Sequence, residues 1–212
     1  MSGFSDRTAQ AILNHIVGKT AVFGLPQAFV ALFTAAGIDA GTGFTEVIGG
    51  GYARASTVGG DWNSASGSAP SVISNANPIV FPTASSAWTN IIAFGLYDAQ
   101  AAGNLLAWDY FGNFPWRPTT VNAATPAQFT QPGHGYLAGD QVVWSTEYGG
   151  VAPSGGSLSG LMVVANPTAD TFTTGVNTTG SGEGMIRKVL AQNVQSGIQP
   201  LFAAGSLNIS AA

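Results

Sequence analysis

Few residues of this chain have types and spacings that suit chemistry, and most conspicuous is "FTEVIGGGYARAS", residues 44 to 56. Three successive glycines, Gly49, Gly50 and Gly51, raise the question of a phosphate cradle. A Walker-type loop needs GxxxxGK followed by Ser or Thr, and a dinucleotide loop needs GxGxxG between a strand and a helix. Here Tyr52, Ala53 and Arg54 follow, with no lysine and no amphipathic helix after them. The pattern predicts a bend or bulge between two strands, where glycine supplies backbone conformations closed to other residues. Glu46 and Arg54 flank the bend, and the spacing predicts an ion pair across it, with Asp98 as a third member. Such a pair can bind an anion or pin a turn. Bidentate arginine–carboxylate contacts in a sparsely charged chain favour the second role.

The remaining reactive types are isolated. His15 and His134 are the two histidines, too few and too far apart for a zinc site, so no metal and no cofactor is expected. His134 with Asp140, in "PGHGYLAGD", predicts a hydrogen bond across a turn. No GxSxG elbow accompanies the many serines, and Asp98 with Asp109 has the spacing of any two strands of a hairpin rather than of a glycosidase pair. The chain is therefore expected not to be an enzyme, with no catalytic residues. Aromatic side chains remain. The densest cluster, "DYFGNFPWRP" (residues 109 to 118), offers Tyr110, Phe111, Phe114 and Trp116 as a subunit or partner contact. Trp144 and Tyr148 are the candidates for a receptor or glycan surface, since large aromatics stack on sugars as well as filling cores.

The elements that must position these residues are mostly strands. One helix is readable at residues 5–17, where Ser5 suits the N-cap, Asp6 the positive end of the helix dipole, and Gly18 the stop. Ala9, Ile12, Leu13, Ile16 and Val17 form one apolar stripe, expected to dock on a sheet. Beyond residue 26, short runs of β-branched, aromatic and small residues are broken by Gly, Pro, Asn and Ser clusters. "AFVALFT", "VISNANPIVFP", "NIIAFGLYD" and "NLLAWDYF" are the expected strands, the last two joined as a hairpin. These features predict an all-β fold, an antiparallel, jelly-roll-like sandwich with a short N-terminal helix. After residue 122 the turns become denser, with strands of a few residues each, as in a small β-barrel or β-roll. "QPLFAAGSLNIS" then reads as a closing strand of the first sheet. The expected organisation is a discontinuous sandwich, 1–122 plus 190–212, with an inserted small β-domain at 123–189.

Composition narrows function further. Of 212 residues, 45% are hydrophobic and only 8% charged, against roughly a quarter charged in ordinary globular proteins. A surface built from Ser, Thr, Asn, Gln and Gly suits contact with other protein. A net charge of -4 with six basic residues argues against direct nucleic-acid binding. No run approaches the roughly 20 apolar residues of a membrane span, and the N-terminus lacks the pattern of a secretory signal. The absence of cysteine removes disulfides and thiolate sites together.

"FVALFTAAGIDAGTGFTEVIGGGYARAS" followed by "NPIVFPTASSAWTNIIAFGLYDAQAAGNLLAW" resembles a family of small structural proteins of tailed bacteriophages, often labelled tail-fibre or minor structural proteins. The resemblance covers about residues 4 to 122, and "VNA" with the later "PLFAAGSLNIS" resembles the family's closing strands. The intervening segment resembles a β-rich module recurrent in phage tail and fibre proteins, through HGxxxGDxVxW and ADTF. The resemblance implies a virion structural protein without enzyme chemistry, made in the host cytoplasm and assembled on the particle exterior. The sparse charge and turn-rich surface suit close packing as a homo-oligomer, a trimer, beside the major capsid protein or other virion proteins, with a host surface glycan as a further expected partner. Without heptads or β-helical repeats of the kind that build a shaft, the expectation leans to a capsid decoration or cement protein, with a tail fibre or minor tail protein as the alternative.

Overall fold

A computed structural model describes residues 3–19, 27–68, 70–147 and 149–211. It is an all-β protein with one short α-helix among the described residues. The chain divides into two compact units, residues 1–110 with 191–212, and residues 111–190. Every strand pairing in both is antiparallel. No helix among the described residues is long and apolar enough to cross a membrane.

The first unit begins with β1 (Gly3–Phe4) and α1 (Asp6–Ile16). Ser5 caps the helix by accepting from the Thr8 N–H, while its own hydroxyl donates to Leu105 O at 2.6 Å. The cap thus ties the helix start to the sheet as well as satisfying an end group. Thr8 alone among the helical residues is buried. The stripe expected to dock does not: Leu13, Ile16 and Val17 are 63%, 70% and 69% exposed. The attachment runs through the helix N-terminus, so the C-terminal half of the apolar face is left outward.

The strands that follow are β2 (Gln27–Ala35), β3 (Thr45–Glu46), β4 (Ala55–Val58), β5 (Ser71–Ser74), β6 (Ile79–Val80), β7 (Trp88–Ile91), β8 (Ala93–Tyr97) and β9 (Leu105–Tyr110), of which β2, β3, β4, β8 and β9 join β1 in one six-stranded sheet. Its order is β1-β9-β8-β2-β3, with β4 also on β2. β8 and β9 form the expected hairpin, and β2, buried through Val30–Phe33, is the central strand. "VISNANPIVFP" is two strands rather than one. Pro78 has no N–H for a ladder, and Asn75 is fully buried, its amide donating to Asn77 O and Ala203 O while its carbonyl accepts from Leu207 N–H.

The second unit contains β10 (Arg117–Val121), β11 (Gln128–Thr130), β12 (Gln141–Ser145), β13 (Leu161–Val163), β14 (Thr171–Thr173) and β15 (Gly182–Val189), in the order β13-β12-β15-β10-β11-β14. β10 pairs with β11 and β15, so the boundary falls at residue 111 and not at 123. Phe129 and Phe172 are directly opposite in the register, and their rings stack 5.2 Å apart at 8° in the core beside Val121, Val142 and Ile186. Two large side chains on one face of adjacent strands must meet in this way.

Back in the first unit, β16 (Gln192–Val194), β17 (Leu201–Phe202) and β18 (Asn208–Ala211) pair with β7, β6 and β5 as three ribbons. The closing segment therefore returns to this unit but not to its six-stranded sheet. Phe202 packs on Phe94 of β8 at 5.4 Å, one of the contacts by which ribbon and sheet share a core.

Candidate functional site

The glycine cluster sits on the edge of β2. β3 lies against the second half of that strand and β4 against its first half, so residues 47–54 are an excursion out of one interrupted edge strand. Gly49, Gly50 and Gly51 have φ of +73°, +55° and +74°, the left-handed region that favours glycine. At Gly50 space also forbids a side chain, because a Cβ would stand 2.7 Å from Trp88 Nε1. The Gly50 carbonyl accepts from Trp88 Nε1 at 3.0 Å and from the Ser85 N–H at 2.8 Å, so the turn is held by protein.

The excursion brings Glu46 and Arg54 together. Arg54 Nε donates to Glu46 Oε1 at 2.9 Å and Nη2 to Oε2 at 2.8 Å, a bidentate pair. Arg54 Nη1 donates to Ala99 O and Ala102 O at 2.8 and 2.7 Å. The guanidinium carbon lies 3.6 Å from the centre of the Tyr97 ring. Burial alone would lower the Arg54 pKa, but the Glu46 carboxylate outweighs it and raises the value. Asp98 does not join the pair. Its carboxylate accepts from the Asn104 N–H and side-chain amide, both at 2.6 Å, and thereby shapes the turn whose carbonyls Arg54 reaches. Burial would raise the Asp98 pKa, yet these two donors and the nearby charge of Arg7 hold it below its ordinary value.

Two further members of this cluster were not placed in it by the sequence. Tyr52 donates to Glu46 Oε1 at 2.8 Å and accepts from the Leu32 N–H at 3.0 Å. Its phenol pKa is pushed far above the ordinary range by burial first and by Glu46 next. Tyr97, whose pKa is raised by burial against the opposing charge of Arg54, is the other. The i, i+2 spacing of Tyr52 and Arg54 was the available signal, since alternate residues of extended chain share a face. A cleft of about 350 Å³ opens beside the cluster, with Arg7, Asp39 and Asn104 on its walls. Asp39 Oδ1 accepts from Trp108 Nε1 at 2.8 Å. With Arg54 committed to protein acceptors, the arrangement clamps the excursion to the β8–β9 turn.

The other singled-out residues are placed apart. Asp109 lies five residues along β9 from Asn104, roughly 17 Å of strand rise from the turn holding Asp98, well beyond a glycosidase spacing. His134 and Asp140 do not bond each other. His134 Nδ1 accepts from the Tyr136 N–H at 2.9 Å, which places its proton on Nε2, 3.3 Å from Thr171 O. Asp140 accepts from the Leu137 N–H and pairs with Lys188 Nζ at 2.7 Å, and these partners lower its pKa against the effect of burial. Each side chain closes its own turn. Among the described residues no group of three His, Asp or Glu is placed to hold a metal.

The aromatic candidates are also engaged within their units. Tyr110 is buried and packs edge-on to Trp108 at 5.1 Å, so its ring is core and not a partner surface. Phe111, Phe114 and Trp116 are half-buried, with Lys188 over the Phe114 ring and Arg187 over that of Trp116. Trp144 packs edge-on to Phe129, and its ring covers Gly184 so closely that any Cβ there would collide. That inward packing removes it as an open stacking platform; Tyr148 lies outside the described residues.

Residues 3–136, more than half of the chain, match the family of podophage GP4 fiber I protein gp80, and the chain belongs to that family. It is a phage structural protein of the fibre type. No curated protein matches it.

Proposed function

We propose that the protein is a non-enzymatic subunit of the phage fibre assembly that works as a homo-oligomer, a trimer, on the virion exterior. Membership of a podophage fibre family carries this reading. A chain with only 8% charged residues and an apolar helix face left outward support the oligomer. The expected neighbours are other copies of the chain and other virion proteins. A second reading, capsid decoration, draws on the same surface and on a sequence without shaft-forming repeats. Gold labelling of intact particles and of tailless heads separates the two. Label confined to the fibres supports the proposal; label on tailless heads in many copies transfers it to the capsid; and a monomer by light scattering at micromolar concentration removes the oligomer.

A further inference from the structure

No Asp, Glu, Lys, Arg or His occurs from Trp62 to Tyr97 or from Val189 to Ala212. All six basic and all ten acidic residues of the chain lie outside these two segments. The fold pairs the segments with each other. Ile91 lies opposite Gln192 and Trp88 opposite Val194 in β7–β16, the Ala84 N–H donates to Ile198 O at 2.9 Å, Val80 lies opposite Leu201 in β6–β17, and Ser74 opposite Asn208 in β5–β18. The three ribbons are therefore successive stretches of one long antiparallel ribbon that carries no charge. It packs inward through Ile79, Phe81 and Trp88, all buried. Val80 alternates with Ile79 and Phe81 and so points the other way. Val80 and its partner Leu201 are 43% and 53% exposed, and Ile198 is 53% exposed. The glycine excursion lies alongside, since the Ser85 N–H donates to Gly50 O at 2.8 Å, and it carries Ile48, which is 89% exposed.

We propose that this charge-free ribbon is a contact face between copies of the chain, packed about the symmetry axis of the assembly. The proposal rests on the homo-oligomer of the proposed function and gives it a surface in addition to α1. The four exposed aliphatic side chains offer on the order of 400 Å², about half of the roughly 800 Å² that each partner buries in a standard interface. Exposed uncharged polar residues of the same ribbon, Thr89, Asn193 and Gln199 among them, supply hydrogen-bonding groups for the rest. Charge identifies the occupant. Near a rotation axis each residue meets its own copies, so any charge there repels itself, and a face without charge suits symmetric packing. A partner of different sequence is steered and selected by complementary charge, and this face has none to offer it. Asp61, next in sequence to the first segment, stands at the margin, where its carboxylate accepts from the Val58 N–H at 2.9 Å and Asn77 Nδ2 at 3.1 Å.

The test is sedimentation velocity of the full chain over a range of concentrations. Val80→Lys with Ile198→Lys sets like charges around the axis, and Val80→Glu with Ile198→Glu does the same with the opposite sign. Both positions are exposed in the single chain, so an unchanged far-ultraviolet circular dichroism spectrum identifies folded variants. The expected result is that the unaltered chain assembles, that each double variant alone associates at least about a hundredfold more weakly, and that an equal mixture of the two reassembles. Assembly unchanged in both variants, or variants that dissociate and do not recombine on mixing, would overturn the proposal while leaving the homo-oligomer in place. A lysine variant that assembles normally but no longer joins particles would assign the face to another virion protein and overturn it too. A monomeric unaltered chain would remove the homo-oligomer itself, and the proposal with it.

Discussion

Arg54 directs both Nη1 bonds at the 99–102 turn and its other edge at Glu46, so replacing it strands a carboxylate among partly buried groups. Breaking a fully buried pair costs about 3–5 kcal/mol; with the Glu46 side chain 26% exposed, Arg54→Met is expected to cost about 2–3 kcal/mol. Tyr52→Phe loses the bond to Glu46 and leaves the Leu32 N–H unanswered, for about 1–2 kcal/mol. Denaturant titration measures both. Asp98 and Asp140 make a pH prediction at the same scale. Their folded pKa values are lowered, so the stability they contribute is complete above the unfolded value near 3.9 and is lost as pH falls through the lower folded values. Acid titration should show unfolding that begins below about pH 4, and Asp140→Asn should flatten part of that dependence. The Glu46–Arg54 pair was legible because scarce charges flank a glycine bend. The misplacement of Asp98 and the omission of Tyr52 share a cause, for both depend on which strands lie side by side.

At the scale of elements, propensity and pattern revealed what is local. The Ser5 cap, the extent of α1 and the β8–β9 hairpin all follow from neighbours in sequence. Pairings such as β18 with β5 join residues more than a hundred positions apart and leave no periodic trace. The helix stripe shows the limit from the other side, since periodicity reports that an apolar face exists but not what covers it. Leu13→Glu with Ile16→Glu is expected to change the stability of the isolated chain by less than about 0.5 kcal/mol, because both side chains are already in water. The same variant should shift the oligomer toward smaller species in sedimentation. Ser5→Ala is expected to behave oppositely, lowering the melting temperature through a lost cap worth about 1 kcal/mol.

At the scale of the whole molecule, the sequence change near residue 122 signalled a second unit, while its start at residue 111 was hidden because β10 reads like any other short strand. The ends of that unit are close together. The Leu190 N–H donates to Phe111 O at 3.0 Å, so the chain leaves and re-enters the first unit through two residues already paired as in an antiparallel ladder. A two-residue Asn-Gly loop closes such a pair with the twist that antiparallel strands prefer. Replacing residues 112–189 by Asn-Gly should therefore leave β9 and β16 in place and yield a soluble chain with a β-type circular dichroism spectrum and one cooperative melt. Within it, Arg54→Met should still cost about 2–3 kcal/mol, because every partner of Arg54 lies in the retained unit. An unfolded or aggregated product would show that residues 1–110 and 191–212 do not form a self-sufficient core.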